Sequence, residues 1–137
     1  MDASQAKKWR AILDETERIA VIGMKPSGAA FSVPLFMERQ GFEIVPVNPM
    51  YDEIDGRESF VTVNQVDGRV EMVNIFRRSD AIPGHVEEIL KMDPLPNSVW
   101  LQLGIRHDAA ARRLLEAGIE VIQDRCIKVE YARLRSR

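Results

Sequence analysis

The chain is poor in the residues that staple or metallate small proteins. Its 137 residues include one cysteine and two histidines. A single cysteine excludes an internal disulfide and any four-cysteine zinc site. His85 and His107 have no metal-ligand spacing to a nearby cysteine or to each other. Long hydrophobic runs are missing too, and none approaches the ~18 apolar residues of a membrane span. Residues 1–10 are polar, without the hydrophobic segment of a signal peptide. The expectation is a cytoplasmic protein with no membrane partner. Neither sign of charge dominates, with 19 basic and 21 acidic residues and a net charge of -2. That balance argues against non-specific nucleic-acid binding. The segment 125–137 carries five basic residues against one acidic, but no interleaved aromatic platform for single strands. It reads as a solvated helix end. There is no G-x-S-x-G nucleophile motif, and Glu87–Glu88 reads as a helix-surface pair.

What is present is an ordinary globular composition, 45% apolar and 29% charged. High apolar content with low net charge excludes disorder as a whole-chain description. A single domain of this size buries roughly 68% of its unfolded surface, enough for one core without staples. No repeat or long linker divides the chain.

Short β-branched runs alternate with helical spacing. Residues 4–16 read as a helix with Ala6, Trp9, Leu13 and Thr16 on one face, Ile12 beside them and Ser4 as N-cap. Strands are expected at 18–23, 42–47, 70–76, 98–103 and 119–123, with a weaker one at 60–63. The unbroken run Ile19, Ala20, Val21, Ile22 has the look of a strand buried on both faces, as parallel sheets require. Helices are expected at 28–40, 81–92, 108–117 and 127–135. Pro34 suggests that the first of these begins near Phe31, since proline suits a first turn. Asp55-Gly56 reads as a turn. The pattern predicts an α/β fold: a Rossmann-like, doubly wound, mainly parallel sheet of five to six strands, order 3-2-1-4-5-6, with helices on both faces. Ligands of such sheets bind beyond the carboxyl ends of the strands, where the order reverses.

The loops at those ends are therefore the ones to read. After strand 1 come Gly23, Met24, Lys25, Pro26, Ser27 and Gly28. Glycine permits close approach of a phosphate, the next helix offers free N–H groups, and Lys25 and Ser27 add a charge and a hydroxyl. The alternative is a tight turn with an incidental lysine. The loop lacks the G-x-G-x-x-G fingerprint, because Lys25 stands at the second glycine position, and Asn48-Pro49 follow strand 2 in place of a ribose-binding acid. Both departures argue against a nicotinamide enzyme. Ala29 and Ala30 stand after Gly28, where a P-loop has Lys and Ser or Thr. Val47, Asn48 and Pro49 offer either a presented amide or a rigid turn whose Asn caps its own backbone. Phe76, Arg77 and Arg78 offer phosphate neutralisation or a solvated charge pair. Gln102 ends an apolar run and needs a partner, and Gly104 permits a positive φ. His107, beside Asp108, suits a helix N-cap. Cys126 stands between basic residues at a helix start, surroundings that favour thiolate; the alternative is a small packing residue.

Five segments then stand in a familiar order: Ile19-Ala20-Val21-Ile22-Gly23, Val45-Pro46-Val47-Asn48-Pro49, Asn74-Ile75-Phe76-Arg77, Val99-Trp100-Leu101-Gln102-Leu103-Gly104, and Asp124-Arg125-Cys126-Ile127-Lys128-Val129-Glu130. Over roughly residues 15–134 the chain resembles the small stand-alone CoA-binding proteins of bacteria and archaea. Their fold is similar to the CoA-binding domain of the succinyl-CoA synthetase α subunit. The resemblance implies a domain that binds coenzyme A or an acyl-CoA, with no established reaction. It implies that the loop from Gly23 through Met24, Lys25 and Pro26 to Ser27 holds the pyrophosphate. By the same resemblance Val47, Asn48 and Pro49 line the adenosine end, Phe76, Arg77 and Arg78 flank adenine or phosphates, and Leu101, Gln102 and Gly104 lie near the pantetheine. Lys25 departs from the small or hydroxyl residues common in that loop. The synthetase subunit uses a phosphohistidine from a separate domain that this chain lacks, so synthetase activity is not expected. The expectation is a non-catalytic carrier, sensor or regulatory module, as a homo-oligomer or beside an enzyme partner. A thiol-redox role, with Cys126 in mixed disulfide with CoA, and a nicotinamide-nucleotide enzyme are the alternatives.

Overall fold

The computed structural model describes residues 1–135, so the last two residues of the basic tail lie outside the described residues. Five parallel strands form the main sheet: β1 (Arg18–Ile22), β2 (Glu43–Val47), β5 (Met72–Ile75), β6 (Ser98–Leu101) and β7 (Glu120–Ile122), in the order β2-β1-β5-β6-β7. A two-stranded antiparallel hairpin, β3 (Glu53–Ile54) and β4 (Arg57–Glu58), stands apart from it. Its turn is Asp55-Gly56, both at positive φ, the geometry of a tight hairpin. The helices are α1 (Ala3–Asp14), α2 (Ala29–Arg39), α3 (Ile82–Ile89), α4 (Asp108–Glu116) and α5 (Ile127–Arg135). Among the described residues no helix is long and apolar enough to cross a membrane.

Side chains of a strand alternate between faces, and here both faces are apolar. Ile19 and Val21 of β1 join Met72, Trp100 and Ile122 under α1, α2 and α5, with Trp9, Leu13, Met37, Ile127 and Leu134. Ala20 and Ile22 join Val73, Ile75, Val99 and Leu101 under α3 and α4, with Ile82, Val86, Ile89 and Leu114. The buried runs of the sequence are thus the strands of a three-layer α/β/α domain.

Three local expectations are corrected. Asp2 rather than Ser4 caps α1, accepting from the Gln5 N–H at 2.8 Å. Helix α2 begins at Ala29, not near Phe31, and holds Pro34 in its interior. The strand expected at 60–63 is reduced to one parallel bridge between Phe60 and Val47. That bridge lies beside β2, where strand 3 of the expected order belongs, so the sheet has the order 2-1-4-5-6 with its outermost member vestigial.

Two polar anchors hold the frame. The buried Glu71 carboxylate accepts from the backbone N–H groups of Glu17 (3.0 Å) and Arg18 (2.7 Å), which ties the start of β1 to β5 at the end of the sheet opposite the candidate loops. Arg57 grips Glu38 of α2 in bidentate fashion, Nε and Nη2 donating to its two carboxylate oxygens, and so pins the hairpin to the helix. The Arg57 hydrogen bond holds the Glu38 carboxyl below its ordinary value, against a smaller opposing effect of burial.

Glu71→Ala leaves two N–H groups unpaired and should cost about 1–3 kcal/mol in urea unfolding. Glu38 has its pKa depressed by folding, so its contribution is full above the ordinary value of 4.5 and fades as pH falls through the lower folded value. Acid unfolding followed by circular dichroism should therefore begin at higher pH in Arg57→Ala than in wild type. Coincident acid transitions would contradict this.

Candidate functional site at the carboxyl ends of β1, β2 and β5

The strand order reverses between β1 and β5, and the chain is tightest there. Gly23 follows β1 with φ +85°, and a Cβ on it would stand 2.3 Å from the Phe76 carbonyl oxygen. The contact is enforced from both sides. The Gly23 N–H donates to the Val47 oxygen and the Phe76 N–H to the Ile22 oxygen, each at 2.8 Å. Only glycine fits, and its bare backbone forms the floor of a crevice.

The next five residues divide by role. Met24 is buried in the core, so its backbone alone borders the loop. Lys25, Pro26, Ser27 and Gly28 are exposed. Gly28, at φ +73°, is the N-cap residue of α2 and offers no capping side chain. The Phe31 and Ser32 N–H groups turn back onto the Gly28 oxygen, whereas those of Ala29 and Ala30 have no partner among the described residues. Pro34 contributes from a distance. It has no N–H for the Ala30 carbonyl four residues earlier, and that oxygen accepts the Lys25 N–H at 3.2 Å instead. The proline that sequence reasoning moved toward the helix start thus frees the acceptor that folds the loop onto α2.

Asn48 is buried, and its amide is spent on the protein itself. Nδ2 donates to the Met24 oxygen at 2.8 Å and Oδ1 accepts from the Met50 N–H at 2.9 Å. Of the two readings offered for this residue, the structure takes the turn-capping one for Oδ1, and Nδ2 locks the β2 loop to the β1 loop. Val47 is buried with its surface on the crevice wall. Arg78 pairs with Asp80 at 3.2 Å in the open. Arg77 is exposed, and its side chain has no hydrogen-bond or ionic partner among the described residues; the same holds for the side chain of Lys25.

Two compartments meet over this floor. One, of about 260 Å³, is lined by Gly23, Lys25, Asn48, Phe76, Arg77 and Arg78. The other, of about 310 Å³, shares Gly23, Asn48 and Arg77 with it and is walled by Ile22, Val47, Pro49, Met50 and Val61, with Thr62, His85 and Glu88. The first is cationic, the second mostly apolar. A larger hollow of about 500 Å³ lies elsewhere, between α1 and β7.

The loops after β6 and β7 line neither compartment. Leu101 is sealed in the core. Gln102 is buried and accepts through Oε1 from Asn74 Nδ2 (3.1 Å) and from the Ile127 N–H (3.0 Å), joining β5 to the start of α5. Gly104, at φ +85°, donates to Asp124 Oδ1 at 2.6 Å. Cys126, half-buried, precedes α5 and packs on the core. His107 caps α4 by accepting the Ala110 N–H, as its position suggested.

Sequence reasoning missed Met50, Val61, Thr62, His85 and Glu88. Glu88 does not stand on an open helix surface; it faces the crevice with His85, whose Nδ1 lies 3.2 Å from Glu88 Oε1. The i, i+3 spacing of these two was visible, but nothing local says which loop α3 faces.

Sheet order and crevice define the class: a Rossmann-like domain with a candidate ligand site at the point of strand reversal. The family follows from comparison. The model of the CoA binding domain matches residues 17–132, and the chain belongs to that family. A Bacillus subtilis protein, YneT, is 40% identical over 126 residues, covering 90% of this chain and 91% of that one. A Thermus thermophilus structure superposes with TM-score 0.88 at 37% identity, over 98% and 99% of the two chains. At 21% identity the fold recurs in an acetyl-coenzyme A synthetase of Ca. Korarchaeum cryptofilum, with TM-score 0.64 over 77% of this chain and 25% of that larger one.

Gly23→Ala forces a side chain into a left-handed backbone and against the Phe76 carbonyl. It should lower stability by at least about 1–2 kcal/mol, the left-handed cost alone, as measured by urea unfolding.

Proposed function

We propose that this domain binds coenzyme A or an acyl-CoA across the crevice over Gly23, as a non-catalytic carrier, sensor or regulatory module. One observation carries the reading. A cationic compartment with two unpaired cations, Lys25 and Arg77, opens into a mostly apolar one over a floor without side chains. Coenzyme A has both characters, a polyanionic phosphate portion and less polar ends. Membership of the CoA-binding family supports the choice among ligands that share those characters. Lys25, Arg77 and the open N–H groups of Ala29 and Ala30 would meet phosphate oxygens, as helix starts and charge-assisted donors do. Val47 and Pro49 would meet the apolar part. Asn48 serves as a brace that holds the β1 and β2 loops around the ligand.

The thiol-redox reading has less support, because Cys126 lines neither compartment. Mixing with CoA disulfide and measuring the intact mass tests it: a gain of one CoA that Cys126→Ser abolishes would favour it. The nicotinamide reading has no ribose acid to rest on, since Asn48 and Pro49 follow β2.

Isothermal calorimetry and thermal shift with CoA test the main proposal, with NAD as the comparison nucleotide. Wild type is expected to bind CoA and to be stabilised by it. Lys25→Ala and Arg77→Ala should each weaken binding about tenfold, the scale of one charged hydrogen bond, with less loss at high salt. Folded wild type giving neither heat nor shift with CoA would overturn the proposal.

A further inference from the structure

The apolar compartment contains one polar pair that the phosphate-binding reading leaves unused. His85 and Glu88 lie one turn apart on α3, with Nδ1 and Oε1 3.2 Å apart. Both side chains are largely withdrawn from solvent, at 18% and 29% exposure. With Glu88 Oε1 accepting from Nδ1–H, the neutral imidazole leaves its lone pair on Nε2. Nε2 has no partner among the described residues. The walls around it are Ile22, Val47, Pro49, Met50 and Val61, which offer no side-chain donor. Asn48, whose amide is already spent on the protein, Arg77 and Thr62 complete the polar lining.

We propose that His85 determines ligand specificity: oriented by Glu88, its Nε2 accepts a hydrogen bond from an N–H or O–H group of the ligand portion that enters the apolar compartment. The inference rests on the CoA reading above and deepens it. Cations hold phosphates wherever they occur and discriminate little between phosphorylated ligands. A ring nitrogen that needs a donor, in a chamber walled mainly by apolar side chains, does discriminate, because a ligand without a matching donor leaves it dry and unpaired. Two portions of coenzyme A carry such donors: the nucleoside, with its amine and hydroxyl, and the pantetheine, with its amides and hydroxyl. Glu88 touches no ligand in this scheme and acts as a positioning residue.

The test is CoA affinity by calorimetry in three variants. His85→Ala removes the ring. His85→Asn keeps a polar group near the position of Nδ1 and loses Nε2. His85→Gln keeps a group near the position of Nε2. The expected result is a loss of about tenfold in His85→Ala and His85→Asn, with His85→Gln within about threefold of wild type. A structural role through the Glu88 contact gives the opposite order, with Asn rescuing and Gln failing, and overturns the proposal. So does equal affinity in wild type and all three variants. Unfolding midpoints without ligand identify any variant whose loss comes from the fold. Competition with adenosine 3′,5′-bisphosphate and with 4′-phosphopantetheine then separates the sources: the fragment whose affinity falls in His85→Asn is the one that enters the compartment. If folded wild type binds no CoA, the parent reading fails and this one falls with it. If wild type binds and His85→Asn binds equally well, only this inference fails.

Discussion

The approach of β5 to the end of β1 is the constraint on which the site depends. At Gly23 the neighbouring carbonyl occupies the space of a side chain, so the chain must turn there with bare backbone. Reciprocal ladder bonds, Gly23 to Val47 and Phe76 to Ile22, lock three strand ends together at that point. Every surface of the crevice is measured from this junction. The β1 loop rises from it toward α2, the β2 loop is tied to it through Asn48, and Arg77 leaves it directly. The parallel sheet supplies the rest, because strands buried on both faces can neither slide nor rotate without exposing their apolar side chains.

Charge is arranged locally rather than globally. The protein carries a net charge of -2, yet its exposed cations at the crevice differ in availability. Arg78 is already engaged with Asp80. Lys25 and Arg77 are not. An anion arriving at these two displaces no existing partner, which is where a local attraction outweighs an overall negative charge. The backbone of the loop is similarly prepared, since Pro34 releases the carbonyl that holds Lys25 in place.

The layered fold was legible because its signals are local and repeated. The run from Ile19 to Ile22, the apolar stripe of Ile82, Val86 and Ile89, and the glycine after β1 each have one physical reading. What the sequence could not convey is direction across the sheet. Asn48, Gln102 and Met24 were recognised as members of carboxyl-end loops, but their side chains face inward, to Met24 O, to Asn74 and Ile127, and to the core. The donors and acceptors they satisfy belong to segments up to 28 residues away. His85 and Glu88 were overlooked for the same reason in reverse. Helical spacing says which residues share a face, and only the packing of α3 says what that face meets. Pro34 reads as a boundary because it lacks an N–H, whereas in the structure a loop amide fills the gap.

The vestigial third strand changes how the crevice behaves mechanically. Its outer wall hangs on β2 by two backbone hydrogen bonds, Phe60 N–H to Pro46 O at 3.1 Å and Asn48 N–H to Phe60 O at 2.9 Å, where a full strand would be riveted along its length. Met50 and Val61, at 81% and 56% exposure, ride on that wall. Such an edge is held less firmly than a strand bonded along its length, beside five strands that are paired in register. Whatever displaces this edge works against two backbone hydrogen bonds rather than against the sheet.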